Sequence, residues 1–347
     1  MPHPDQIEVI APNLKRRLSG VTATVVRLIP IQTRSIGIVT TGPGLPPELP
    51  HIPLAACFTL PRRRWRVWHA RRNTEMALGL ILRHIFRRRL RMMFTSAAQR
   101  HHKGFTRWLI RQMELVVATS EKAKGYLQVP ATVVMHGVDC ETFQPTSDKP
   151  ALRRALGLPE DALLIGCFGR VRAQKGVDLL VDAACALLPA RPKAMVIFTG
   201  LITEDNRSFH ADQLAKLRAA GVEDRVRFLG EIPWEDVVRH YQALDLFTAP
   251  ARWEGFGLTP LEAMASGVPV VATRVGAFET LIPPETGTLI APGDGPALTE
   301  AIRAWIDDPA RLAAGAEAAR AHVLAHHRIE EEAATLVALY RDLLARP

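Results

Sequence analysis

Cysteine is scarce in this sequence of 347 residues. The four cysteines are scattered, with no C-x-x-C pair and no Cys/His cluster of metal-binding spacing, at Cys57, Cys140, Cys167 and Cys185. The sequence also contains no Asp-x-Asp pair that could ligate a divalent cation. We therefore predict a reduced protein that has no structural zinc and needs no metal at its site.

Long apolar runs are missing as well. The longest of them, such as residues 76–82, fall well short of the ~20 residues that a membrane-spanning helix needs. The first residues lack the basic n-region and the apolar h-region of a secretory signal. We therefore expect a cytoplasmic protein that does not cross a bilayer.

Acidic residues are almost absent from one region. Residues 61–111 contain 15 Arg or Lys against the single acid Glu75, a local charge of +14 in a chain whose net charge is +9. Aromatic residues are interspersed among these cations, at Trp65, Trp68, Phe86 and Trp108. Such a concentration of positive charge predicts a surface that binds a polyanion.

Three interpretations of this basic region remain open. An anionic membrane surface and a nucleic acid would both suit it. A solvated helical face without any partner is the third possibility. Because the sequence has no aromatic RNP motif and no paired zinc ligands, an anionic membrane surface is favoured and no nucleic-acid partner is expected.

The length corresponds to about two domains. Short β-branched runs alternate with amphipathic stretches, which is the pattern of βα units on a parallel sheet. Candidate strands in the first half are 7–11, 35–40, 65–70, 91–96, 115–120 and 132–137; those in the second half are 163–169, 194–200, 225–230, 246–251, 269–273 and 286–291. The sequence therefore predicts an α/β protein with two Rossmann-like, doubly wound domains, whose ligands bind beyond the carboxyl ends of the strands.

The predicted domains are 1–145 and 146–330, followed by a long amphipathic helix over 331–347. The segment 139–161 breaks the periodicity with three prolines and many charges. We interpret it as an interdomain linker.

Two motifs in the second half point to a ligand with phosphates and hydroxyls. The segment 166–176, GCFGRVRAQKG, ends an apolar strand at Gly169 and continues to Arg170 and Lys175, two cations that could neutralise a diphosphate. The segment 254–273, EGFGLTPLEAMASGVPVVAT, places Glu254 and Glu262 on either side of a glycine-containing turn that leads into a helix. Glycines permit close backbone approach to a ligand, and the N–H groups of the helix start attract anions.

Together these motifs resemble the signature of glycosyltransferase family 4, the retaining GT-B enzymes. Arg170 and Lys175 match its G-R-x4-K-G motif, and Glu254 and Glu262 match its E-x7-E motif. The segments 136–145 and 287–294 resemble two further motifs of the family, so the resemblance covers most of the chain. In the first half, residues 11–24, 68–80 and 94–110 look most like segments of bacterial lipopolysaccharide-core mannosyltransferases.

The resemblance implies a donor site in the second domain. Arg170, Lys175 and Glu254 would be catalytic, with the two cations stabilising the leaving diphosphate and the carboxylate facing the donor sugar. Glu262 would accept hydrogen bonds from the ribose hydroxyls. The remaining nucleotide-sugar contacts would come largely from the backbone of Gly20, Gly169, Gly255, Phe256, Gly257 and Leu258.

Glu262 has a structural alternative. Residues 259–262, Thr-Pro-Leu-Glu, also match a capping box with proline in the first helical turn. In that case the carboxylate would stabilise the helix start and would not bind ribose.

The first domain would hold the acceptor. His69 ends a predicted strand at a position where relatives have a histidine, and it would line the site together with Arg71, Arg72 and Asn73. Many relatives place another histidine directly after a middle strand, which this sequence lacks; His101 or His102 is the candidate substitute. A plain surface role in a basic region is the alternative for both.

The function implied is transfer of a hexose, with mannose from GDP-mannose favoured, to an anionic lipid-linked acceptor such as Kdo-lipid A on the cytoplasmic face of the inner membrane. No cofactor or metal is implied. A UDP-sugar donor for another lipid or exopolysaccharide precursor is the alternative within the enzyme class. A catalytically silent GT-B module that binds polyanions is the alternative outside it.

Overall fold

The computed structural model describes residues 3–15 and 20–347. The chain divides into two compact units, one formed by residues 1–136 together with 329–347 and the other by residues 137–328. Each unit is a parallel β-sheet with helices on its faces.

The strands of the first unit are β1 (Val9–Pro12), β2 (Ile38–Thr41), β3 (His51–Ile52), β4 (Arg66–Ala70), β5 (Leu90–Ser96), β6 (Leu115–Ala118) and β7 (Thr132–Val133). They form one parallel sheet in the order β3-β2-β1-β4-β5-β6-β7. The helices between them are α1 (Gly20–Gln32), α2 (Asn73–His84), α3 (Gly104–Arg111) and α4 (Glu121–Gly125). The central strands β1, β4 and β5 are buried along nearly their whole length, as expected for a sheet covered on both faces.

The second unit contains β8 (Leu163–Phe168), β9 (Ala194–Thr199), β10 (Val226–Phe228), β11 (Leu246–Ala249), β12 (Val270–Thr273) and β13 (Gly287–Ile290). They form a parallel sheet in the order β10-β9-β8-β11-β12-β13. Its helices are α5 (Lys149–Ala155), α6 (Val177–Leu187), α7 (Arg207–Ala219), α8 (Trp234–Ala243), α9 (Thr259–Ala265), α10 (Phe278–Leu281), α11 (Gly295–Ile306) and α12 (Pro309–His326). The chain winds outward from β8 to β10, then restarts at β11 on the other side of β8.

The last helix, α13 (Ile329–Ala345), is part of the first unit. Its buried face includes Leu336, Val337 and Tyr340, which share a core cluster with Val67 of β4 and Leu28 of α1. The second half of the chain therefore ends by completing the hydrophobic core of the first unit.

The prediction of a linker at 139–161 is wrong, because these residues are part of the second unit. Phe143 is fully buried, with its ring centroid 5.7 Å from that of Tyr241. Arg153 is buried as well, and its guanidinium donates to the carbonyl of Ala243 and, at 2.6 Å, to the carboxylate of Asp245. The units therefore divide at 136/137 and 328/329, whereas the predicted boundaries lie after residues 145 and 330.

The predicted fold class is confirmed by these two parallel sheets. Each of the twelve predicted strands overlaps an observed strand, and the two-residue strand β3 was not predicted. No helix in the described part of the chain is long and apolar enough to cross a membrane.

Candidate active site

The two predicted donor motifs lie at the carboxyl ends of adjacent strands of the second unit. β8 pairs directly with β11, and the winding direction of the sheet reverses between them. Arg170 and Lys175 lie in the loop after β8, and Glu254 lies in the loop after β11. Open parallel sheets bind their ligands at such a reversal point, beyond the carboxyl ends of the strands.

Glycines allow these loops to approach one another closely. Gly169 and Gly176, at the two ends of the loop after β8, both adopt positive φ angles, of 133° and 71°. A Cβ on Gly176 would lie 2.0 Å from the carbonyl oxygen of Pro250, and a Cβ on Gly200 would lie 2.1 Å from that of Gly169. Only glycine fits these contacts, so the loop is fixed against the ends of β9 and β11.

The two cations of the loop differ in their contacts. The half-buried Arg170 side chain makes no hydrogen bond or ion pair with any described residue. Lys175 forms an ion pair with the carboxylate of Glu254, and both side chains are about four-fifths buried. Beneath Lys175, burial raises the pKa of the Cys167 thiol to about 12, so this neighbour stays uncharged.

Arg252 holds the two loops together. Its backbone N–H donates to the carbonyl of Gln174 at 2.8 Å, and its guanidinium forms two bonds to the carboxylate of Asp178, at 2.8 and 2.7 Å. A bidentate pair of this kind fixes both distance and orientation. It therefore places Glu254, two residues further on, beside Lys175.

Glu254 is fixed by glycines on three sides. Its Oε1 accepts from the N–H of Gly255 at 3.0 Å. A Cβ on Gly257 would lie 3.0 Å from the Glu254 Cγ, and a Cβ on Gly276 would lie 3.2 Å from its Cβ. The N–H groups of Gly257 and Leu258 have no acceptor among the described residues, so they remain available to a ligand.

Glu262 lies in α9, one turn beyond this loop. It is 8% exposed, and its Oε2 accepts from the hydroxyl of the buried Tyr241 at 2.9 Å. The capping-box alternative is wrong, because Leu258 occupies the N-cap position and no side chain caps the helix. Glu262 is therefore oriented by Tyr241.

In the first unit, the predicted acceptor residues His69 and Arg71 are buried. His69 Nδ1 bonds to the hydroxyl of Tyr340 and Nε2 to the hydroxyl of Thr95, each at 2.7 Å. Burial, with a contribution from Arg71, holds the pKa of His69 well below its ordinary value. Both ring nitrogens are therefore hydrogen-bonded to side chains inside the unit.

Arg72 also makes internal contacts. Its guanidinium donates to Glu75 at 2.7 Å, to Asn13 at 2.9 Å and to Thr22 at 3.0 Å. The neighbouring Asn73 is exposed at the start of α2, where its side chain accepts from the N–H of the next residue. Of the four residues in this predicted group, Asn73 alone presents an exposed side chain.

The two candidate histidines of the basic region differ. His102 is half-buried, and its Nε2 lies 3.4 Å from the hydroxyl of Ser96, the last residue of β5. Burial, followed by the charge of Arg100, lowers the pKa of His102, so it is neutral at pH 7. His101 is exposed and packs edge-on against Tyr126. The structure therefore places His102, rather than His101, at the carboxyl edge of the sheet.

Gly20 is the first residue of α1, and a Cβ there would meet nothing within 4 Å. Residues 16–19 of the same predicted turn lie outside the described residues.

Arg252, Gly276 and Tyr241 were not predicted, because their roles depend on contacts with residues distant in sequence. The described residues contain no group of three His, Cys, Asp or Glu side chains placed to hold a metal ion.

Comparison with known proteins agrees with this geometry. The family model described as glycosyl transferases group 1 matches residues 148–322. The chain belongs to this family. It is therefore a glycosyltransferase rather than a silent binding module.

Full-length relatives and solved structures extend the comparison. The chain is 50% identical over 99% of both chains to a protein of Rhizobium leguminosarum bv. viciae named lipopolysaccharide core biosynthesis mannosyltransferase LpcC. It is 48% identical to LpsB of Rhizobium meliloti, which carries the same description, over 97% of this chain and 98% of that one. The structure of Anabaena Alr3699/HepE in complex with UDP and glucose superimposes with a TM-score of 0.83 at 19% identity, covering 97% of this chain and all of that one. This structural likeness identifies the glycosyltransferase fold as GT-B.

Proposed function

We propose that this glycosyltransferase transfers mannose from GDP-mannose to the Kdo-bearing inner core of lipopolysaccharide. The observation that carries the proposal is the group formed by Arg170, Lys175 and Glu254 at the reversal point of the second sheet. The two full-length relatives, both named lipopolysaccharide core mannosyltransferases, support the choice of sugar and acceptor.

The chemistry requires stabilisation of a leaving diphosphate. The bond from the sugar C1 to the diphosphate breaks while the acceptor hydroxyl oxygen bonds to C1 on the same face. The hydroxyl proton passes to the diphosphate, so the configuration is retained without an enzyme nucleophile. Arg170 and Lys175 supply two cations at this position, and charges placed in advance by the fold stabilise the developing negative charge without a metal.

A transfer assay tests the donor and the acceptor together. Purified protein is incubated with Kdo-lipid A and either GDP-mannose or UDP-glucose, and the acceptor mass is measured. We expect a hexose increment with GDP-mannose that persists in EDTA, because protein cations already neutralise the diphosphate. Transfer from UDP-glucose alone would favour the alternative donor, and strict dependence on Mn²⁺ would contradict the cation model.

We also propose that the protein binds the anionic membrane that contains its acceptor. Part of the +14 region is used internally: Arg66 is buried, Arg72 pairs with Glu75, and Arg83 and Arg91 pair with Glu114. We propose that other cations of the region form, with neighbouring aromatic residues, a basic-aromatic surface on α3 and on the segment 85–89 that follows α2. Its exposed members are Ile85, Phe86, Arg87, Arg89, Lys103, Phe105, Arg107, Trp108 and Arg111.

This surface combines two attractions to an anionic membrane. Phe105 and Trp108 are 62% and 52% exposed and stack on each other across one turn of α3. The cations around them have no acidic partner among the described residues. Each such cation contributes about 1 kcal/mol near an anionic surface, an attraction that salt screens.

Vesicle sedimentation tests the membrane proposal. Serine at Arg87 and Arg89 should weaken binding to anionic vesicles and transfer to a lipid acceptor, while transfer to a short soluble acceptor stays nearly unchanged. Arg88 is left intact because its guanidinium donates to the carbonyl of Leu60. Serine at Lys193 and Arg207, two exposed cations of the second unit, is the matched control. Equal binding to neutral vesicles would contradict the proposal.

A further inference from the structure

The ion pair between Lys175 and Glu254 joins two groups that the donor is expected to use separately. In the proposed reaction Lys175 binds the diphosphate and Glu254 faces the sugar. In the structure each of these groups is the charged partner of the other, with side chains 22% and 19% exposed. A ligand that engages either group must therefore disrupt this pair.

The structure offers neither group a second charged partner. Among the described residues, Lys175 has no other carboxylate within ion-pair distance, and the thiol of Cys167 nearby is uncharged. Glu254 has no other cation within that distance, and its other oxygen accepts only from the N–H of Gly255. Separating two partly buried charges without replacement partners is costly.

The surrounding backbone holds the two charges close together. Gly257 and Gly276 lie against the Glu254 side chain, and the bonds from Arg252 to Asp178 and Gln174 hold its loop to the Lys175 loop. Both side chains are about four-fifths buried, so a ligand that separates the pair binds best by supplying a new partner to each charge.

We propose that the Lys175–Glu254 pair makes the enzyme distinguish the intact nucleotide sugar from the nucleoside diphosphate product. An intact donor supplies an anion to Lys175 and sugar hydroxyls to Glu254, so both charges regain partners. A bare diphosphate takes Lys175 and leaves Glu254 unpaired beside the phosphates, where like charges repel. Glu254 is therefore a specificity-determining residue that weakens product binding and promotes product release. This inference rests on the proposed donor chemistry.

Isothermal titration with GDP and with GDP-mannose tests the coupling. In Glu254→Gln, GDP should bind at least tenfold more tightly than in the wild type, because Lys175 is released and the repulsive charge is gone. GDP-mannose should bind no more tightly than it does to the wild type, so the ratio of the two dissociation constants changes at least tenfold. Glu317→Gln removes the same charge from an exposed site on α12 and should change neither constant.

A double variant separates coupling from a general charge effect. In a Lys175→Met background, Glu254→Gln should alter GDP affinity less than it does in the wild type, because no pair remains to be released. GDP binding that is unchanged or weaker in Glu254→Gln would overturn the inference while leaving the proposed function intact. If wild-type protein binds neither GDP-mannose nor GDP, and UDP-glucose and UDP are bound instead, the same titrations are made with that pair. Failure to bind any of the four would overturn the proposed function itself.

Discussion

In the second unit, Arg170 follows β8 and has no partner among the described residues, whereas in the first unit Arg72 follows β4 and donates to three internal oxygens. Both arginines lie beyond the carboxyl end of a central parallel strand. The same residue type at the carboxyl edge of a parallel sheet thus makes no internal contact with the described residues in one unit and holds loops together in the other. Topology locates the site, and only the local contacts identify which side chains serve it.

Removing Arg72 should produce the largest effect, and the effect should be on stability. Arg72→Ala leaves the fully buried carboxylate of Glu75 without its cation, and breaking a buried pair costs about 3–5 kcal/mol. Urea denaturation measures this loss. Arg100→Ala, at an exposed position without a partner among the described residues, should change the free energy of unfolding by no more than about 0.5 kcal/mol. An Arg72 variant with unchanged stability but no activity would contradict the structural role of Arg72 and support its predicted role in the acceptor site.

Buried histidines provide a second contrast between the units. His69 of the first unit has both ring nitrogens hydrogen-bonded, whereas the Nδ1 of His327 in the second unit has no hydrogen-bond partner among residues 3–15 and 20–347. Burial first, then His322 and His326, lower the pKa of His327 to about 4. The unfolded chain protonates His327 at a higher pH than the folded protein does. The contribution of neutral His327 to stability is therefore fully present above about pH 6.5 and is lost as the pH falls towards 4.

This lowered pKa corresponds to a loss of about 3 kcal/mol in the free energy of unfolding between neutral pH and pH 4. His327→Gln should therefore flatten the dependence of urea stability on pH between 6.5 and 4.5. His101→Gln, at an exposed position, is the matched control. If both variants keep the wild-type slope, His327 is not the group that titrates.

Removing Arg170 should affect catalysis with little change in stability. Arg170→Ala should lower kcat/KM by about 100-fold, equivalent to ~2.7 kcal/mol, because a preorganised donor to the leaving diphosphate is lost. The thermal midpoint without ligand should not move, since the side chain has no partner in the part of the chain that the structure describes. Arg303→Ala, an exposed arginine of α11, serves as control. Wild-type turnover in Arg170→Ala would remove this residue from the site.

The contrast between the units also explains what the sequence could predict. Both sheets were predicted because their strands are short apolar runs buried on both faces. The segment 139–161 was misassigned because its charges suggested solvent, although Arg153 donates to the carboxylate of Asp245 and to the carbonyl of Ala243 inside the unit. A local pattern does not reveal such partners, because they lie some ninety residues away.

The same limit applies to the site. Arg170, Lys175 and Glu254 could be predicted because each motif is local, but the ion pair between Lys175 and Glu254 depends on a contact between separate loops. Arg252 and Gly276 act across such contacts and carry no local signal. His69 was assigned to the acceptor because it lies near the end of a strand, whereas its partner Tyr340 comes from a helix 271 residues further along the chain.

The smallest expected effect concerns Tyr241 and Glu262. The Glu262 carboxylate accepts a hydrogen bond from Tyr241 and is also the proposed partner of the ribose hydroxyls. Tyr241→Phe removes the 2.9 Å hydrogen bond to Glu262 and should raise the dissociation constant for the bare nucleotide about fivefold, equivalent to ~1 kcal/mol. Glu262→Gln should have an effect at least as large. The double variant should lose less than the sum of the two, because both substitutions act on the same carboxylate. If both variants change only the melting temperature, Glu262 belongs with Arg72 among the residues that hold the fold, and the ribose assignment fails.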